Sequence, residues 1–195
     1  MTIIITRLFD TYEHASAGVT AIEAMGVPHS AISLVANNMD ERYTDQVGDG
    51  TNGAAPGAGT GASVGTVIGG GAGLLAGLGV LAIPGVGPVV AAGWLVATLV
   101  GSGVGAAGGG LIGSLIGSGV SETDAHVHAE GVRRGGTLVT VRADAEMAPE
   151  IERTLDAHNA VNTTERGDLW RSEGWSRFDE VAPAYRADVR SNTLL

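Results

Sequence analysis

Few residues of this chain have the types and spacing that chemistry needs. Cysteine is absent and all eleven basic residues are arginine. Thiolate nucleophiles, thiolate metal sites, Walker-type phosphate lysines and Schiff-base lysines are therefore excluded. His126 and His128 stand two apart among Glu122, Asp124 and Glu130. Such a group suggests a weak metal site, but positions two apart point to different faces of a helix. The expectation is solvated helix residues without a metal. Gly103-Val104-Gly105-Ala106-Ala107-Gly108 fits G-x-G-x-x-G, but no acidic residue about 20 positions on completes a dinucleotide site. Asp40, Glu41, Asp45 and Asp49 lack the order of a calcium loop and read as a solvated linker. His14, His29 and His158 have no evident partners, and no serine or threonine is marked as a nucleophile beside a base. The chain is expected to be non-enzymatic, with no cofactor and no catalytic residue; beside an assembly role, the alternative is a small-molecule-binding ferredoxin-like domain.

The stretch that dominates the chain runs from Gly50 to Ser121 and carries no charged residue. Gly57, Gly61, Gly65, Gly69, Gly73 and Gly77 recur at every fourth position. The period returns at Gly101, Gly105, Gly109, Gly113 and Gly117, with Gly93 and Ala97 extending it backwards. On a helix this spacing lines small residues along one face and lets two backbones approach closely. Pro84-Gly85-Val86-Gly87-Pro88 reads as a turn: Pro84 cannot continue a helix, and Pro88 suits the first turn of another. The pattern predicts a glycine-zipper hairpin over 57–119, with helices 57–83 and 88–119.

Such helices are apolar all round and must be buried on all sides. Glycine also costs about 1 kcal/mol per helical position relative to alanine. The flanking segments look too small to cover such a hairpin from within the chain, which leaves two environments. One is a lipid bilayer, which about 20 apolar residues can cross, although no basic cluster flanks either end to give a positive-inside signal. The other is a homo-oligomer or filament in which hairpins bury one another. The corresponding locations are the cytoplasm, or the inner membrane with both termini cytoplasmic.

The flanks read as folded protein. Thr2–Phe9 is a β-branched run, Asp10 and Glu13 suggest a capping box for a helix ended by Gly26 and Pro28, and 30–36 reads as a second strand. MTIIITRLFD lacks the basic and long apolar regions of a secretory signal. Residues 37–56 form a linker. After the hairpin, Ser121 and Asp124 suggest another capping box, with Gly135-Gly136 closing that helix. Residues 137–143 read as a strand, Pro149 opens a helix, and 160–165 (AVNTTE) reads as a last strand. Joined across the insertion, 1–36 and 121–166 give an α+β, ferredoxin-like split βαβ domain with one extra helix. A hairpin of two long helices would bring both halves out on the same side.

The segment 167–195 is an aromatic and arginine-rich tail containing Trp170, Trp175, Arg177, Phe178 and Tyr185. These residues suit either a staple onto their own domain or anchors on a neighbouring protomer. The net charge of −10 argues against nucleic acid as a partner and against electrostatic docking on anionic lipid.

Four stretches together carry a resemblance: ITRLFDTYEHA, IPGVGPVVAAGWL, GGLIGSLIGSGVSETDAHVHAEGVRRGGTLVTV and GWSRFDEVAPAY. The chain resembles bacterial stress proteins with the general stress protein 17M-like domain, which include heat-induced and low-temperature-induced members. The resemblance spans nearly the whole chain and implies a stress-associated protein with no family catalytic residues to carry over.

Overall fold

The computed structural model describes residues 1–39, 79–83, 85–95, 110–182 and 185. Its strands are β1 (Thr2–Phe9), β2 (Ile32–Asn37), β3 (Gly79–Ile83), β4 (Gly87–Gly93) and β5 (Thr137–Asp144). The helices among the described residues are α1 (Tyr12–Ala24), α2 (Leu111–Gly117), α3 (Glu122–Arg133), α4 (Ala148–Ala157) and α5 (Thr163–Ser172). The fold is mixed α+β, with one antiparallel five-stranded sheet in the order β1-β5-β2-β4-β3.

β5 is antiparallel to both β1 and β2, so the first two strands run parallel to each other with β5 between them. Its sequence, TLVTVRAD, suits that position because alternate residues bury on opposite faces. Val139 and Val141 face a core that includes Ile5, Phe9, Val19, Ile22 and Ile151 from β1, α1 and α4. Leu138 faces a second core with Leu8, Leu115, Val127, Val132 and Trp170, built under α2, α3 and α5. Apolar layers thus cover both faces of the sheet.

Helix starts follow side-chain caps. Thr11 accepts from the His14 amide, one residue beyond the expected Asp10 cap. Ser121 accepts from the Asp124 amide at 3.1 Å, as its spacing predicts. Met147 precedes α4 without a side-chain cap; Pro149 sits in that helix's first turn, with Ile151 and Leu155 buried on one face.

Two expectations are corrected. The zipper helices were to run through residue 83 and to begin again at Pro88, whereas Gly79–Ile83 and Gly87–Gly93 are paired strands. β4 then extends the sheet along β2, from Ser33↔Gly93 to Asn37↔Val89. Val-Leu-Ala-Ile and Val-Val-Ala-Ala suit pleated strands, and β2 offers β4 a row of backbone partners. Glycine gives a helix no intrinsic support to resist this. The expected turn is thus narrowed to the link between the paired residues Ile83 and Gly87 of a β-hairpin, where the Val86 amide donates to the Ile83 carbonyl at 3.1 Å. Gly85 and Gly87 take φ values of 75° and 99°. Pro88 is the second residue of β4, opposite Ala82, and its carbonyl accepts from Asn38.

The expected last strand, 160–165, shrinks to one bridge between Phe9 and Ala160. The side-chain oxygen of Asn162 accepts from the amides of Thr164 and Glu165 and starts α5 instead. An Asn cap with a glutamate three residues on outweighs the strand preference of two threonines.

Gly93 distinguishes the strand from the helix by experiment. Its φ is +92°, and a Cβ there would strike the Ile32 carbonyl. Gly93→Ala should cost about 2 kcal/mol or more and lower Tm by roughly 5 °C, read by calorimetry. In a helix the same change would stabilise by about 1 kcal/mol, so a raised Tm would refute the strand.

Candidate functional site

The residues singled out for the zipper are divided by the structure. Gly57, Gly61, Gly65, Gly69, Gly73, Gly77, Gly101, Gly105 and Gly109 lie outside the described residues, as do the 40–56 part of the linker, Pro84 and the Gly103–Gly108 fingerprint. Gly93 ends a strand, while Gly113 and Gly117 lie on α2, which buries Leu111, Ser114 and Leu115. Among the described residues no helix is long and apolar enough to cross a membrane.

The described part of the tail, 167–182 and Tyr185, packs on its own chain. Trp170, on α5, and Phe178 are buried in the second core. Trp175 packs edge-on against Trp170, with ring centroids 5.8 Å apart. Tyr185 lies by Arg133 and Arg134, the latter 5.1 Å from its ring centroid. Arg134 also sits 4.5 Å over Trp170. Both arginines converge on Glu130, whose carboxylate is buried and takes Arg134 Nε at 2.7 Å and Arg133 Nη1 at 3.1 Å. Phe178 and the Asp179-Glu180 backbone press against Gly85, so the tail clamps the hairpin loop. Arg177 is exposed. Packing within the chain thus accounts for the aromatic enrichment of the tail.

A different place has the makings of a site. A cavity of about 620 Å³ opens between β1, the start of α3 and the α4–α5 junction. It borders the outer edge of β1, which meets the segment before α5 at the Phe9–Ala160 bridge. The Val161 amide donates to the Leu8 carbonyl at 2.7 Å, which marks the outer edge of β1. Alternation along an antiparallel ladder turns the backbone groups of Ile4 and Thr6 to that same edge. There Arg7 donates to the Thr6 carbonyl at 3.2 Å, while its Nε binds Asp156 at 2.9 Å and its Nη2 lies 3.5 Å from Glu152.

His128 lines this cavity from α3. It is only 3% exposed, which corrects the expectation of a solvated histidine. Burial pushes its imidazolium down to about 4, with Asp124 opposing that shift and Arg7 adding to it. The ring is therefore neutral at pH 7, and its Nδ1 has no hydrogen-bond partner. Thr6, on the cavity floor, likewise buries a hydroxyl with no partner. An unsatisfied buried polar atom costs about 1–3 kcal/mol, so two beside one cavity call for an explanation. Ser121, Asn162, Thr163 and Thr164 add polar groups from the starts of α3 and α5. Among the described residues no group of three His, Cys, Asp or Glu side chains is placed to hold a metal ion.

On the far side of the 160–162 segment, Asp10 and Arg166 form a two-pronged ion pair at 2.7 and 2.9 Å. The Arg166 hydrogen bond holds the Asp10 carboxyl below its ordinary range. This pair ties the α1 entry to α5 and borders a smaller cleft of about 370 Å³. No family model, curated protein or solved structure matches this chain.

Because His128 is neutral in the fold and protonates more readily unfolded, the unfolded chain binds more protons between about pH 4 and 6.5. Stability should be retained at pH 7 and fall by up to about 3 kcal/mol as pH drops through that window. Urea titrations of wild type and His128→Leu should show the slope flattened in the variant. Glu130→Ala, which removes the buried carboxylate that Arg133 and Arg134 share while Arg134 keeps Glu173 at 3.6 Å, should cost about 3 kcal/mol by the same measurement. A loss below 1 kcal/mol would mean that the tail clamp does not depend on this cluster.

Proposed function

We propose that this protein is a non-enzymatic, small-molecule-binding domain built on a ferredoxin-like split βαβ. Its fourth strand is reduced to the Phe9–Ala160 bridge. The parallel β1 and β2 flanking antiparallel β5, with α1 and α4 on one face, support that topology. The observation that carries the reading is His128: a buried, neutral imidazole with an unpartnered nitrogen beside a cavity of ligand size. No nucleophile–base pair accompanies it, which favours binding over turnover.

A second reading concerns the charge-free span from Gly50 to Ser121. Its glycine period favours close packing in a homo-oligomer or a bilayer, and the resemblance to stress proteins gives that assembly its setting. The protein is then cytoplasmic or held at the inner membrane.

Thermal shift of the full chain against a panel of polyols, sugars, carboxylates and phosphates tests the first reading. A ligand at a hundred times its Kd should stabilise by about 2.7 kcal/mol, and Val120→Trp, which fills the cavity, should abolish the shift. A shift that survives Val120→Trp would place the ligand elsewhere. For the second reading, Gly69→Leu with Gly109→Leu should change oligomer size or abolish co-flotation with carbonate-washed membranes. Unchanged behaviour in both assays would refute the zipper.

A further inference from the structure

We infer that the cavity beside β1 takes a neutral, hydroxyl-rich molecule, a polyol or small sugar, rather than an anion; this rests on the ligand-binding reading above. The charges that line it are Arg7, Asp124 and Asp156. Arg7 is engaged by Asp156, Glu152 and the Thr6 carbonyl, so among the described residues no uncommitted cation faces the space. Asp124 accepts from the Ser121 hydroxyl at 2.7 Å and keeps further lone pairs. An incoming carboxylate or phosphate would meet two carboxylates against one neutralised guanidinium.

Helix starts ordinarily attract anions. Here both are already answered from within the chain. Ser121 and Asn162 cap α3 and α5, and Glu122, Asp124 and Glu165 supply negative charge to their first turns.

The remaining groups are mixed in kind. The hydroxyls of Thr163 and Thr164 both donate and accept, and Asp124 accepts; the Thr6 hydroxyl and His128 Nδ1 are sealed beneath the lining in the free protein and meet a ligand by a side-chain rotation. A ligand hydroxyl also does both, so each can pair without leaving a like partner opposed. Ile4, Val120, Ala160 and Val161 supply an aliphatic wall that suits the C–H face of a polyol. Among the described residues no Phe, Tyr or Trp ring lines the cavity, and the His128 ring is only 3% exposed, so a nucleobase would have no open ring face to stack on. At about 620 Å³ the space lies within the size range of small-molecule sites.

Chemical-shift mapping on the full-length protein tests this, with glycerol, myo-inositol, glucose and trehalose set against inorganic phosphate and citrate. At least one polyol or sugar should move the resonances of Thr6, Val120, Val161 and His128 in a saturable way. Thr6→Val removes a hydroxyl that is unpaired in the free protein, so the variant should fold at least as stably as the wild type yet bind the polyol about tenfold more weakly. Equal affinity in Thr6→Val would overturn the inference. Saturable shifts at the same residues with phosphate or citrate alone would overturn it too while leaving the ligand-binding reading in place. If no probe moves them, both readings fall.

Discussion

The structure depends on one insertion: β5 enters between β1 and β2, which run parallel and are joined in the sheet only through it. The backbone groups on their facing edges are paired by this antiparallel strand from the far half of the chain. Once β5 is in place, its two faces seed the two cores, with Val139 and Val141 on one side and Leu138 on the other. The glycine-rich stretch between the halves has to let that return occur. Its β3–β4 hairpin contributes directly by extending the sheet beyond β2.

The second core closes through polar as well as apolar contacts. α3 is covered by the sheet, α2 and α5, so even Glu130 is buried, and its charge is answered by Arg133 and Arg134. Those arginines in turn hold Trp170 and Tyr185, while Phe178 seats the tail against Gly85. A glycine loop and an aromatic tail that are far apart in sequence thereby form one contact. Replacing Glu130 would uncover charge as well as remove packing, which is why its effect should exceed that of an exposed ion pair.

Much of the fold was legible. Thr2–Phe9 and Thr137–Asp144 announce themselves by β-branched runs, and α3 and α4 by Ser121 and Pro149. Residues 79–93 were misread because a run of glycine, alanine and valine without polar residues has no amphipathic period to separate strand from helix. The four-residue glycine spacing then favoured the helix. In 160–165 the cap signal, Asn162 with Glu165, was present in the sequence but was overshadowed by threonine. The site itself was hardly legible. Nothing next to His128 in the chain shows that α5 and the edge of β1 close over it, so a buried histidine looked like a solvated one. Thr6 looked like an ordinary strand residue for the same reason.

The edge of β1 links these features. A full fourth strand would have satisfied Ile4 and Thr6 and filled the space, whereas an Asn-capped helix at that point leaves a polar recess. The central claim is that this recess receives a ligand whose hydroxyls complete His128 and Thr6. Its most direct test is a crystal structure of the protein with bound polyol, at a resolution that shows every hydrogen-bond partner in the cavity. The account predicts ligand oxygens within hydrogen-bond distance of the His128 imidazole and the Thr6 hydroxyl. A structure in which other side chains of this same chain satisfy both groups, with the recess closed, would contradict it.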